Sequence, residues 1–135
     1  MTDLIHEALF AFMKTAGTSA ANRFYPRQLP QQPVLPAGTY FQVSDPPEHT
    51  QSGPSKLRHP RFQIECWGVD TETTDGYQQA RFLAEEVRML LEGYSGVMGD
   101  LEIGVAFAED GKDDYDPNTF RHKVILDVII WYSSK

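Results

Sequence analysis

The clearest hydrophobic pattern in the chain is an alternation of apolar residues between positions 120 and 132. The stretch is rich in β-branched and aromatic residues and contains neither glycine nor proline, which predicts a long β-strand. One side of this strand is entirely apolar and carries Val124, Leu126, Val128 and Ile130. Because such a strand would aggregate if it were exposed at a sheet edge, we expect it to be central. Its length suggests that part of it stands clear of the body of the domain.

Two other stretches repeat apolar residues with the 3.6-residue period of an amphipathic helix. The first covers residues 4–16, and Gly17 follows as a residue that favours the end of a helix. The second opens at a polar residue within positions 73–75 and ends at Gly93. We predict that the second helix buries Tyr77, Ala80, Leu83, Ala84, Val87, Leu90 and Leu91.

Shorter alternating stretches predict three more strands, at residues 39–44, 61–68 and 101–107. In the first of them, Phe41 and Val43 should point inward. The last two strands are separated only by a polar segment, so we expect a long C-terminal hairpin of antiparallel neighbours. The order α–β–β–α–β–β predicts an α+β fold in a single domain, residues 1–135, with a mostly antiparallel sheet of about four strands and both helices on one face.

Two long polar segments interrupt this pattern. Residues 45–58 connect the first two strands and lie within a proline-rich part of the chain, and loops of this length are usually functional. Residues 109–118 connect the last two strands and carry five acidic side chains against one lysine. These carboxylates could offer oxygen ligands to a hard cation, but their spacing lacks the pattern of an EF-hand loop. A solvated, charged turn is therefore the preferred interpretation.

Composition and charge argue against several functions. The formal charge of −7 is opposite to that of proteins that bind nucleic acid by neutralising phosphates. The single cysteine, Cys66, excludes an internal disulfide and a cysteine-based zinc site, and its alternation with Phe62 and Ile64 on an apolar strand face predicts a buried thiol. No apolar run reaches the ~18 residues of a membrane span. We expect the protein to stay in a cytoplasm-like compartment until it meets a partner.

Candidate catalytic groups are scattered along the chain. The four histidines, His6, His49, His59 and His122, fall on separate predicted elements and show no i,i+4 ligand spacing. No serine lies in a nucleophile elbow, and no glycine-rich phosphate loop follows a strand. We therefore predict that the protein is not an enzyme and carries no cofactor and no metal ion. A small-molecule-binding domain is an alternative that the sequence leaves open, since a concave pocket has no sequence signature.

Several segments, taken together and in order, resemble the tail-completion (tail-to-head joining) protein family of long-tailed bacteriophages. They are residues 23–26, 35–43, 61–67, 90–96, Glu109, 114–119 and 127–132. The resemblance implies a structural virion protein without catalytic residues that closes the end of the tail tube as a ring, usually of six subunits. It also implies contacts with the tail tube protein and with the head connector or a head-completion protein. A tail terminator, or a head-closure protein of the neck, is the alternative within the same architecture.

The resemblance also indicates where interaction surfaces should lie, because each subunit of a ring offers two different surfaces. Virions are expected to assemble in the host cytoplasm, with this protein at the head–tail interface. The proposed inter-subunit loop contains Pro46, Pro47, Glu48, His49 and Pro54, and the proposed interface or lumen loop contains Asp110, Asp113, Asp114, Tyr115 and Asp116. Genomic DNA must pass through such a ring without binding, so we expect these acidic residues to face the channel or its mouth. Outer solvent or a basic patch on a neighbouring protein is the other possibility.

Overall fold

The structure is a computed structural model that describes residues 4–44, 49–50, 53–54 and 57–133. Within these residues it contains two helices and nine strands. They are α1 (Ile5–Lys14), β1 (Phe24–Pro26), β2 (Ala37–Ser44), β3 (His49–Thr50), β4 (Gly53–Pro54), β5 (Leu57–Arg58), β6 (Arg61–Val69), α2 (Gly76–Leu91), β7 (Gly96–Met98), β8 (Leu101–Asp116) and β9 (Arg121–Ser133). Neither described helix is long and apolar enough to cross a membrane.

Seven strands form one sheet in the order β1-β2-β6-β9-β8-β7, with β5 also paired to β9. Strands β1 and β2 are parallel, and the other described pairs of this sheet are antiparallel. The prediction of an α+β domain with a mostly antiparallel sheet is confirmed, but the predicted number of about four strands is wrong. The additional strands β1, β5 and β7 have only two or three residues each, too few for an alternating pattern to be visible.

Strand β9 occupies the centre of the sheet, as its apolar pattern predicts. It pairs with β8 on one side, from Arg121 to Tyr132. On the other side it pairs with β6 from Arg121 to Ile129 and with β5 at Tyr132 and Ser133. The expectation that part of this strand stands clear of the body is therefore wrong, because neighbouring strands flank it on both sides at its two ends and in its middle.

The hydrophobic core lies between one side of the sheet and both helices. Alternate residues of β6 and β9 are fully buried there: Phe62, Ile64, Cys66, Val124, Leu126, Val128 and Ile130. They join the buried residues of α1 and α2 in one cluster. We call this the helix side of the sheet and the opposite one the open side. The alternation predicted for these two strands is confirmed.

The ends of the helices follow local chemistry that is visible in the sequence. The carboxylate of Asp75 accepts hydrogen bonds from the backbone N–H groups of Tyr77 and Gln78, which caps α2. Gly17 and Gly93 have positive φ values of 78° and 74° just beyond the two helices. Tyr77 is 40% exposed, so its predicted burial is wrong. It lies in the first turn of α2, and its hydroxyl group donates a hydrogen bond to Asp113 of β8.

The predicted inward orientation of Phe41 and Val43 is wrong. In the β2–β6 ladder Tyr40 stands opposite Ile64, so Tyr40 shares the helix side with that core residue. The ring of Tyr40 stacks on Phe10 of α1 at 5.3 Å between centroids. Burial, and to a lesser degree the carboxylate of Glu7, raises the pKa of Tyr40. Val43 is half exposed, since the register of the ladder and not the apolarity of the residue sets its direction.

The two polar segments are more regular than predicted. Strand β8 continues through the acidic residues to Asp116, and the turn is confined to residues 117–120. The reason is the ladder with β9, which places Asp114 opposite Lys123 and Asp116 opposite Arg121. The predicted loop over 109–116 is therefore wrong.

Within residues 45–58, the described positions form a small antiparallel pair, β3 with β4, and the strand β5 against β9. The prediction of a segment without strand structure is wrong for these positions. Pro46, Pro47 and Glu48 lie outside the described residues. His49 and Pro54 are partners in the β3–β4 pair.

Candidate functional site

The acidic residues predicted to form a site lie together at the distal end of the β8–β9 hairpin. We define the hairpin end as residues 113–123. Asp113, Asp114, Tyr115 and Asp116 are all exposed there, and strand alternation divides them between two sides of the sheet. Asp113 and Tyr115 contact groups on the helix side, whereas Asp114 and Asp116 lie near Trp67. The backbone of Asp110 pairs with Leu126 in the same ladder, before a register shift that ends at Asp113.

On the helix side, the hairpin end is attached to α2 through Asp113. The hydroxyl of Tyr77 donates to Oδ2 of Asp113 at 2.7 Å. The guanidinium of Arg81 lies 3.4 Å from Oδ1 of Asp113 and 3.4 Å from the carboxylate of Glu85. The hydrogen bond to the Asp113 carboxylate is the main reason why the pKa of Tyr77 is raised. These exposed contacts fix the orientation of the hairpin end more than they stabilise the fold.

A second attachment joins β9 to the start of α2. His122 Nε2 lies 3.0 Å from Oδ2 of Asp70, while Oδ1 of Asp70 accepts the backbone N–H of Gly76 at 2.8 Å. The imidazole ring also lies beside the rings of Tyr115 and Tyr77, at centroid distances of 4.4 Å and 5.9 Å. The N–H of Gly76, and then His122, lowers the pKa of Asp70 below its ordinary value of 3.8.

Replacing Asp70 by asparagine is expected to destabilise the protein at pH 7, and the loss should shrink in acid. Folding lowers the pKa of this carboxyl, so its ionised form stabilises the folded state at pH values above the pKa of the unfolded chain. This stabilisation disappears as the pH falls through the pKa of the folded state. Thermal unfolding at pH 7 and below pH ~4 measures the difference. The exposed Glu102→Gln variant is the control, with no comparable change expected. An equal loss for Asp70→Asn at both pH values would contradict this assignment.

On the open side, a polar network crosses three strands beneath the hairpin end. Lys123 Nζ lies 2.6 Å from Oε2 of Glu65 and 5.1 Å from the ring centroid of Trp67. Trp67 Nε1 donates to Oγ1 of Thr39 at 3.0 Å, and that hydroxyl donates to Oε1 of Glu65 at 3.4 Å. Thr39 is fully buried and Glu65 is only 7% exposed. The network therefore ties β2, β6 and β9 together at a position where a charge is nearly removed from water.

A groove of about 200 Å³ lies above this network. Its lining residues are Trp67, Asp114, Tyr115, Asp116, Arg121 and Lys123. The two carboxylates, on β8, stand opposite the two cations, on β9, which suits contacts with a polar surface.

A larger groove lies at the opposite edge of the sheet, and no sequence pattern indicated it. Its volume is about 660 Å³, and it is lined by His6, Pro26, Arg27, Tyr40, Phe41 and Gln42. We call it the Arg27 groove. Arg27 is exposed and has a left-handed φ of 69°, which is uncommon for a residue with a side chain. Its backbone N–H donates to the carbonyl of Tyr40, so the strained turn is fixed against β2.

The remaining titratable groups of the described residues form no cluster suited to catalysis. Cys66 is fully buried, and burial raises the pKa of its thiol, so it stays protonated at neutral pH. Among the residues that the structure describes, no three His, Cys, Asp or Glu side chains are grouped to hold a metal ion.

The fold is that of a small α+β protein with one main, mostly antiparallel sheet and two helices packed on one side of it. The sequence profile of the family described as "Tail completion protein gp17" matches residues 7–133. The chain belongs to this family, and it is a structural protein of a bacteriophage-type tail. The resemblance drawn from the sequence is thereby confirmed.

A solved structure described as "Virion of native gene transfer agent (GTA) particle" contains a chain of the same fold. The TM-score is 0.69 at 13% sequence identity, and the match covers 98% of this chain and 100% of the other. At this identity the match establishes the fold alone. No curated protein sequence matches the chain.

Proposed function

We propose that the protein closes the end of the tail tube as a homo-oligomeric ring of six subunits and joins it to the head connector. Membership of the tail completion family, over residues 7–133, is the observation that carries this proposal. The partners are then further copies of the chain, the tail tube protein and the head connector or a head-completion protein. The protein acts at the head–tail interface after assembly in the host cytoplasm.

The surface supports this proposal because it exposes apolar side chains that a neighbouring protein would cover. Phe82 and Met89, seven residues apart on the outer side of α2, are 62% and 81% exposed. Phe120, in the turn of the hairpin end, is also exposed. Single exposed apolar residues are ordinary, but a pair in line on one helix suits contact with another virion protein.

The charge of the chain supports free passage of DNA. Each subunit has a formal charge of −7, and a ring multiplies this charge around its axis. A basic channel would retain DNA by releasing its counterions, whereas an acidic one would not. Genomic DNA therefore passes through the ring without specific binding.

The purified protein is expected to form particles with about six times the subunit mass of 15.3 kDa, alone or on purified tail tubes. Light scattering and electron microscopy of the decorated tubes measure this. Particles assembled without the protein should accumulate heads and tails of normal length that remain separate, and added protein should join them. Overlong tubes would instead assign a tail terminator. A chain that stays monomeric, does not bind tubes and is absent from virions would overturn the proposal.

A further inference from the structure

The sheet has an open edge along the distal part of β8. Strand β7 covers the outer edge of β8 only from Leu101 to Ile103. The backbone groups of Gly93 and Tyr94 then bond to Ala106, and the carboxylate of Glu92 accepts from the N–H of Ala108. From Glu109 to Asp116, no strand of the described chain pairs with this outer edge. We call this stretch the acidic edge.

The sheet has a second open edge at the end of β2. Strand β1 pairs with Gly38 to Tyr40 of β2, and just beyond β1 the N–H of Arg27 donates a hydrogen bond to the carbonyl of Tyr40. From Phe41 to Ser44, β2 has no strand partner on this outer edge within the described ranges. The Arg27 groove opens at this point, so unpaired backbone groups and a cationic side chain lie next to each other.

The two edges carry opposite charges. Glu109, Asp114 and Asp116 are exposed on the acidic edge, where Lys112 is the one exposed base. At the β2 edge, Arg27 makes no ion pair with any described residue. Two acidic edges repel each other, as do two Arg27 grooves, so charge disfavours pairing of like edges. An acidic edge and an Arg27 groove attract.

We propose that the acidic edge of one copy pairs with the open end of β2, residues 41–44, in the next copy, with Arg27 facing the carboxylates. Strand addition of this kind satisfies the backbone groups of both edges. The contact joins two different surfaces, and such head-to-tail contacts generate closed rings when the rotation closes. This inference rests on the proposed ring and specifies which surfaces build it.

The acidic edge can be altered without loss of the fold. In the ladder, Glu109 stands opposite Asp127, and like charges in that position are destabilising. A lysine at position 109 replaces this repulsion by attraction to Asp127. The variant Glu109→Lys should therefore unfold at the same or a higher temperature than the original chain, so a loss of assembly cannot be attributed to unfolding.

A charge swap tests the proposed contact. Glu109→Lys and Arg27→Glu should each weaken assembly by about tenfold or more, and the combined variant should recover most of it. Glu102→Lys is the matched control, because it makes the same charge change on β8 at a position already paired with β7. It should neither weaken assembly nor rescue Arg27→Glu. Retained assembly in both single variants, or no recovery in the combination, would overturn the proposed pairing.

Disulfide trapping of neighbouring copies is a second test, and it also detects weak association. It can be done with concentrated protein or with protein bound to tail tubes. Chains that carry Val43→Cys with Glu109→Cys, or Val43→Cys with Asp114→Cys, should form ladders beyond dimers upon oxidation. The native Cys66 is fully buried and does not compete. Variants with one new cysteine should stay uncrosslinked, and their dimerisation would indicate like-edge pairing and refute the proposal. If the unsubstituted protein forms rings but the double-cysteine variants form no crosslinked ladders, the proposed edge pairing is wrong and the proposed ring stands. If the unsubstituted protein never assembles, the proposed ring itself is wrong.

Discussion

Replacing Gly68 by alanine is expected to lower the free energy of unfolding by about 3 kcal/mol, because it forces α2 away from the sheet. A Cβ atom at this position would lie 2.2 Å from the carbonyl oxygen of Gly76 and 2.9 Å from the backbone nitrogen of Ala80. Both atoms belong to the backbone of α2 and cannot rotate out of the way. A Cβ on Gly76 would in turn meet the backbone of Val69 at 2.5 Å. The two glycines therefore allow β6 and α2 to approach closely.

Denaturant unfolding monitored by circular dichroism measures this loss. Gly104→Ala is the control on the same sheet, because the nearest atom to its new Cβ would be the carbonyl oxygen of Trp131 at 3.4 Å. The control should change the stability by less than about 0.5 kcal/mol. A Gly68→Ala variant as stable as the control would show that the close approach is not required.

The sequence predicts those parts of the fold in which a hydrophobic period repeats over a long stretch of residues. Strands β6 and β9 have one side packed against the helices, so burial places apolar residues at alternate positions of that side in strands of nine and thirteen residues. The same holds for the apolar stripes of α1 and α2. The hairpin of β8 and β9 followed from the order of elements alone.

The parts that the sequence could not predict depend on partners distant in the chain. The acidic stretch of β8 contains aspartates and a glycine, which by themselves favour turns. It is extended because Lys123 and Arg121 of β9 stand opposite Asp114 and Asp116. The direction of Tyr40 likewise depends on its register with Ile64. Pairing with a neighbouring strand therefore outweighs the intrinsic conformational preference of the individual residues.

The candidate site was located in part from the sequence. The acidic residues at 113–116 do lie together, but their attachments to other elements had no sequence signal. Tyr77 and Asp113 are 36 residues apart in the chain, and Asp70 and His122 are 52 residues apart. The Arg27 groove was missed for the same reason, since a turn after β1, a helix and the end of β2 form it together.

Replacing Lys123 by methionine is expected to lower the free energy of unfolding by about 2–3 kcal/mol. The change removes the ammonium group that lies 2.6 Å from the carboxylate of Glu65. Glu65 is 7% exposed, so its charge would remain nearly buried without a partner. We place the loss at or below the lower end of the range for buried pairs, because the side chain of Lys123 is 24% exposed.

The combination of Lys123→Met with Glu65→Gln should recover most of this loss, since it removes the uncompensated charge and keeps an oxygen that accepts from Thr39. The four proteins form a double-mutant cycle, and denaturant unfolding should give a coupling energy of more than about 1 kcal/mol. Additive losses would show that the ion pair is not coupled.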